Sequence, residues 1–166
     1  MPTDPIDETA IQFIVAQIKT ISTPTYHTNV VAGNVIRNFK NPLDVLKTTG
    51  ATGFPLVQVV GPYNTSYETG TESQRGGDWN RLSDIQVNTF LQIYMAVLGL
   101  DSYTQLPKLR DDVNRILSND FTLGGNTKNW KPVSWVTGYA WEKQSGYMGT
   151  GIWTIQLIWT YRKATP

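Results

Sequence analysis

Asp84-Ile85-Gln86-Val87-Asn88-Thr89-Phe90-Leu91-Gln92-Ile93-Tyr94-Met95-Ala96-Val97-Leu98 is the stretch that decides the fold. Ile85, Val87, Thr89, Leu91, Ile93, Met95 and Val97 recur at every second position, a period that no helix can use and that gives a strand one apolar face. The alternate positions hold Gln86, Asn88 and Gln92 but also Phe90, Tyr94 and Leu98. That second face is therefore expected to be only partly wet.

Downstream, the period changes. Leu109, Val113, Ile116 and Leu117 make a helical stripe over residues 109–118, with Pro107 expected in the first turn, where its missing N–H costs nothing. Asp111 and Asp112 then read as early carboxylates favoured by the helix dipole. Ser118-Asn119-Asp120 stops the helix and leads into Phe121-Thr122-Leu123-Gly124-Gly125. Beyond it lie two aromatic runs. Val133, Trp135, Thr137, Tyr139 and Trp141 alternate with small or polar residues, and Trp153, Ile155, Leu157, Trp159 and Tyr161 do the same, so the two should pair as a C-terminal hairpin spanning 133–161. The connection, 143–151, is longer than a tight turn requires. Tyr147 and Met148 at its tip read as an exposed contact site.

Upstream, residues 4–21 predict a helix. Asp4 suits the N-cap, Pro5 the first helical position, and Asp7 and Glu8 the positive end of the dipole. Ile11, Ile14, Val15 and Ile18 form its buried stripe, widened by Ala10 and Ile21. Residues 26–37 are rich in Val, Thr and aromatic side chains around Gly33-Asn34, which suits either a hairpin turn or a bend within one strand. Pro42 to Lys47 can add a helical turn, 48–53 is a loop, and 56–60 is an apolar strand entered through Phe54-Pro55. From 61 to 81 neither period is present, which predicts a long loop of the kind that is usually functional. Arg75, Asp78 and Trp79 in that loop are candidate contact residues, Trp79 as a partner anchor.

Helix, strands, loop, long strand, helix, hairpin is the order of a two-layer α+β domain: a largely antiparallel sheet of about four or more strands with two amphipathic helices on one face. At 166 residues and 40% apolar composition, one domain covering 1–166 is expected. With 14 basic and 13 acidic residues the net charge is +1, which gives no electrostatic reason for a nucleic-acid groove or an anionic membrane as principal partner. The charged fraction is 16%, so Thr, Asn, Gln, Ser and Gly must supply much of the surface, a composition suited to wide contact with protein. The N-terminus lacks a basic patch followed by an apolar run, and no segment reaches the roughly 20 apolar residues of a spanning helix. A soluble protein that begins in the cytoplasm is expected.

Catalytic chemistry finds little support. His27 is the single histidine and there is no cysteine, so a serine or cysteine hydrolase lacks its parts and an ordinary zinc site lacks its ligands. His27 reads as a half-exposed imidazole on a sheet face. Asp111 and Asp112 are adjacent on a helix and diverge, and no other pair of carboxylates is placed to face one glycosidic bond. Gly50 to Gly53 and Gly124-Gly125 lack the spacing of a phosphate cradle. The chain is therefore expected to be no enzyme and to need neither cofactor nor metal. Its six tryptophans could stack sugars or unpaired bases. Trp135, Trp141, Trp153 and Trp159, however, fall on the apolar phase of the paired strands, where core or interface aromatics belong.

Several of these pieces, in this order, resemble a family. The N-terminal helix, Phe54-Pro55-Leu56-Val57, the long strand ending near Leu98, the helix Leu109-Arg110-Asp111-Asp112-Val113-Asn114-Arg115-Ile116-Leu117, the motif from Asp120 to Gly125 and the last strand ending in Tyr161-Arg162 look like a bacteriophage tail terminator, also called tail completion or minor tail protein. The resemblance implies a non-enzymatic virion ring, usually of six copies, assembled in the host cytoplasm at the head-proximal end of the tail tube. Such a ring would end tube polymerisation and would meet the tube protein on one side and a neck or head-completion protein on the other. DNA would pass its lumen without specific binding. Arg75, Asp78, Trp79, Tyr147 and Met148 would be its protein contacts. A neck or head-closure protein and, in a different class, a tryptophan-rich carbohydrate-binding module are the rival readings.

Overall fold

The computed structural model describes residues 5–69, 83–142 and 146–163. These form three α-helices and a five-stranded sheet in the order β1-β2-β3-β5-β4, an α+β fold. The strands are β1 (Val35–Ile36), β2 (Leu56–Thr69), β3 (Ser83–Leu98), β4 (Asn129–Glu142) and β5 (Gly146–Lys163). Every pairing is antiparallel except β1 with β2.

β3 is the axis of the sheet. Its sixteen residues extend about 50 Å at the rise of a strand. The period of two read from the sequence is the period of burial: Val87, Leu91, Ile93, Met95 and Val97 are all under 5% exposed, and Thr89 is fully buried among them. On this face β3 meets Trp153, Ile155, Leu157 and Trp159 of β5, each in register with a buried β3 residue or its neighbour. Two helices complete the layer. α1 (Ile6–Ile18) contributes Ala10, Ile11, Ile14 and Ile18, and α3 (Ser102–Ser118) contributes Leu106, Leu109, Val113, Ile116 and Leu117 to the same core. α1 begins at Ile6 with Pro5 as N-cap, so its first turn carries Asp7 and Glu8 as the dipole argument requires.

The structure has three α-helices where two were expected, and the third does not share the face of α1 and α3. α2 (Pro42–Thr49), capped by the Asn41 side chain accepting from Leu43 N–H at 3.0 Å, sets Val45 against Leu56 and Ala96. Leu56 and Ala96 lie opposite one another in register on the other side of the sheet. α2 thus covers one end of the second face.

Four further expectations are corrected. The loop expected over 61–81 is strand in its first part, because β2 runs on to Thr69 paired with β3, and residues 70–81 lie outside the described ones; Tyr63, Thr65 and Tyr67 have strand character that two register shifts, at 60–63 and 63–66, hide from a test of strict alternation. Residues 26–37 are neither hairpin nor single strand: a 3-10 turn at Ala32–Asn34 leads into two residues of β1. α3 starts at Ser102, which places Pro107 inside it. Asp101 supplies the early start, its carbonyl accepting from Thr104 N–H (2.9 Å) and Gln105 N–H (3.0 Å), and the buried Leu106 and Leu109 hold the helix to the sheet on either side of the proline. Strand β5 resumes at Gly146, so Tyr147 and Met148 belong to the ladder and not to a turn.

One irregular segment is fixed by a carboxylate. Asp120 accepts from Thr122 Oγ1 (2.6 Å), Thr122 N–H (2.9 Å) and Gly124 N–H (2.8 Å), and this turn drives Leu123, at φ +48° and fully buried, into the core. Gly124 follows at φ +74°, where a Cβ would strike the Phe13 ring. Those contacts explain the sequence Asp120 to Gly125 without any ligand.

Candidate interaction surface

Of the five residues singled out in the sequence, Arg75, Asp78 and Trp79 lie outside the described residues. Tyr147 is half-buried in β5 opposite position 141 of β4. Met148 is 2% exposed and sits in register between Leu98 and Ala140. The reading of an exposed Tyr-Met tip is therefore corrected: the glycines at 146, 149 and 151 that suggest a turn are strand residues of β5, and Gly151 lies directly beneath the Trp135 ring.

Three of the four phased tryptophans agree with the phase argument, and the side chain of Trp141 lies outside the described ones. Trp153 and Trp159 are buried, and Trp135, in register with Trp153, is half-buried against the same core. Trp130 is buried too, at 2%. It escaped the alternating pattern because a register shift at Pro132/Ser134 inserts Val133 and reverses the phase of everything before it. Trp130 packs edge-on to Trp153 (5.9 Å) and is stacked on its other side by Phe121 (5.7 Å).

The polar groups serve the fold. Asp112, expected as an exposed dipole partner, is 1% exposed; its carboxylate accepts from His27 N–H (3.1 Å), Thr28 N–H (2.8 Å) and Thr28 Oγ1 (2.6 Å). His27 itself is exposed in that loop. Arg115 reinforces the attachment by donating to Thr25 C=O at 3.0 Å and lying 5.4 Å from the Tyr26 ring. Glu8 and Arg37 pair at 2.8 Å, and the guanidinium hydrogen bond holds the Glu8 carboxyl below its ordinary range. Arg37 also donates to Val59 C=O (3.3 Å) and Gly61 C=O (2.7 Å), so it closes main-chain acceptors at the margin of β2. The Asp120 carboxyl is likewise lowered, first by the Thr122 hydroxyl and then by the Gly124 and Thr122 N–H groups. Among the described residues no group of three or more His, Asp or Glu is gathered as a metal site would require. Nor is any described helix long and apolar enough to cross a membrane.

What the structure does offer is a surface. Beyond the end under α2, no described helix lies over the second face of the sheet. Register places Phe90, Gln92 and Tyr94 of β3 beside Gln156, Thr154 and Ile152 of β5, with Val60 and Tyr63 of β2 on one side and Ser134 and Val136 of β4 on the other. Most of these side chains are half-buried by their neighbours alone. Tyr63 leans on Phe90 at 6.2 Å, Phe39 meets Tyr94 edge-on at 4.9 Å while staying 51% exposed, and Tyr94 Oη donates to Gln92 Oε1 at 2.8 Å. Of the described strand side chains on this face, the charged one is Lys131, at the β4 margin. The sequence signal was the mixed composition of the alternate β3 positions, read as partly wet.

The chain matches no protein-family model and no curated protein.

Proposed function

We propose that this chain is a structural part of a bacteriophage virion: a tail terminator that assembles as a ring, of six copies by resemblance, at the head-proximal end of the tail tube. It ends tube growth and joins the tail to a neck or head-completion protein. The observation that supports this best is the sheet face left open by the described helices, an aromatic and amide surface nearly free of charge among the described side chains. Such a face is suited to packing on another protein, since it can be desolvated without stranding ions and its amides can find partners across an interface. A binding groove for nucleic acid would instead need a concentration of Lys and Arg. DNA could therefore pass a lumen built from this chain without adhering.

The rival carbohydrate-binding reading loses three of its six candidate platforms, because Trp130, Trp153 and Trp159 are committed to the core. A neck or head-closure role shares the same surface logic and differs in the partner bound.

The test is assembly. Ile152→Lys puts a charge in the middle of the open face without touching the helix-covered core, and it should leave circular dichroism unchanged while abolishing capping of tail tubes seen by electron microscopy. Tubes that stop at normal length with the variant, or particles in which this polypeptide is missing from the head–tail junction, would refute the reading.

A further inference from the structure

β4 ends the sheet. It is paired to β5 along its length, from Asn129 to Glu142, and among the described residues no strand pairs with its other side. A free strand edge presents a row of N–H and C=O groups that templates another strand, and proteins usually blunt such edges with lysine, proline or a bulge. Here the blunting devices sit at one end, where Lys131, Pro132 and the register shift at Val133 follow one another. Ser134-Trp135-Val136-Thr137-Gly138-Tyr139-Ala140-Trp141 has neither proline nor charge. Val136 is 61% exposed, and Ser134, Thr137 and Gly138 are exposed around it. Among the described residues, none of the main-chain hydrogen bonds made outside helices and strands reaches 134–142.

The opposite margin of the sheet is treated differently. β1 covers Val57 and Gln58, Arg37 occupies the carbonyls of Val59 and Gly61, Pro62 lacks a donor, and two register shifts extend the irregularity to Ser66. One edge is blunted as far as Ser66 and the other is open.

We infer that β4 pairs edge to edge with β4 of a second copy of this chain, antiparallel about a two-fold axis, so that two five-stranded sheets become one. The occupant follows from the inventory of edges: among the described strands, β4 alone has a free side of this length, so a second copy offering a strand already formed can offer only β4. Charge sets the direction. Lys128 and Lys131 lie at the N-terminal end of the strand. The antiparallel arrangement carries the two pairs of lysines to opposite ends of the seam, whereas a parallel one brings them together. With the axis perpendicular to the sheet, both faces continue across the seam, and Val136 gains cover from its counterpart. The contact is isologous and closes at two copies, so it belongs to the free chain and must open before a ring with two unlike ends is built.

This inference does not rest on the ring reading, which uses the open face. Sedimentation velocity of the full chain over a concentration series should show a monomer–dimer equilibrium. Val136→Lys should weaken it roughly tenfold or more by setting like charges across the seam, with unchanged circular dichroism. Hydrogen exchange of the wild-type protein supplies a second readout that needs no variant: amide protection in 134–138 should rise with protein concentration. A wild-type chain that stays monomeric, or any oligomer whose 134–138 protection is independent of concentration, would overturn the proposal. A ring-sized species without that protection would do so while leaving the ring reading intact.

Discussion

Replacing Asp112 by alanine tests how far the core side of this fold depends on one buried carboxylate. Asp112 is 1% exposed and receives three hydrogen bonds from the loop that precedes β1, two of them from the buried Thr28. In Asp112→Ala the His27 N–H can turn to water, because it is only part-buried, but the Thr28 N–H and hydroxyl are stranded. Each buried donor left unsatisfied costs about 1–3 kcal/mol, so a loss of about 3–4 kcal/mol is expected. For a domain of this size that corresponds to a fall of roughly 10 °C in Tm. Chemical denaturation followed by circular dichroism measures the energy, and native-state hydrogen exchange should show the Thr28 amide losing its protection first. The neighbouring carboxylate is the control: Asp111, whose side chain is 60% exposed beside Arg110, should cost no more than about 0.5 kcal/mol when truncated. The reasoning fails if Asp112→Ala costs under about 1 kcal/mol, or if the two truncations cost the same.

Asp120 carries the clearest pH signature. Its carboxyl is held below the ordinary value of 3.8, so the stability it contributes is complete above that pH and is lost as pH falls through the lower folded value. Wild type and Asp120→Asn should accordingly differ in denaturation midpoint at neutral pH and converge on acidification below 3.8; a gap that persists in acid would contradict this. Gly151→Ala probes the packing of β4 on β5. A methyl there would drive into the Trp135 ring, and overpacking of this kind costs about 1–3 kcal/mol, with displacement of Trp135 from beneath Arg110 read as a red shift in emission. An unshifted spectrum with an unchanged midpoint would refute the close approach of Gly151 to the ring.

What the sequence disclosed and what it hid follow from one physical distinction. β3 was legible because both its faces are set by burial, and burial writes itself into composition at every second residue. α1 and α3 were legible for the same reason at the helical period. Where main-chain geometry departs from a fixed period, the pattern dissolves although the strand does not. Two register shifts in β2 turned a continuing strand into an apparent loop from Gly61 onward, and the insertion of Val133 set Trp130 out of phase with the strand it belongs to. Asp112 misled in another way. Position on a helix suggested a dipole partner, but the donors that define its role, His27 and Thr28, are more than eighty residues away in sequence and are brought to it by the fold. The candidate surface shows the converse. Its chemistry, amides and aromatics on the alternate face of β3, was on the page from the start, but whether a helix would cover it depended on where α2 packs. Only the placement of Val45 over Leu56 and Ala96, at one end of that face, leaves the rest of it open. A face left bare in this way and an edge left unblunted at β4 are independent features, and each calls for a neighbour. That is why the assembly experiments, more than any assay for turnover, are the ones this structure asks for.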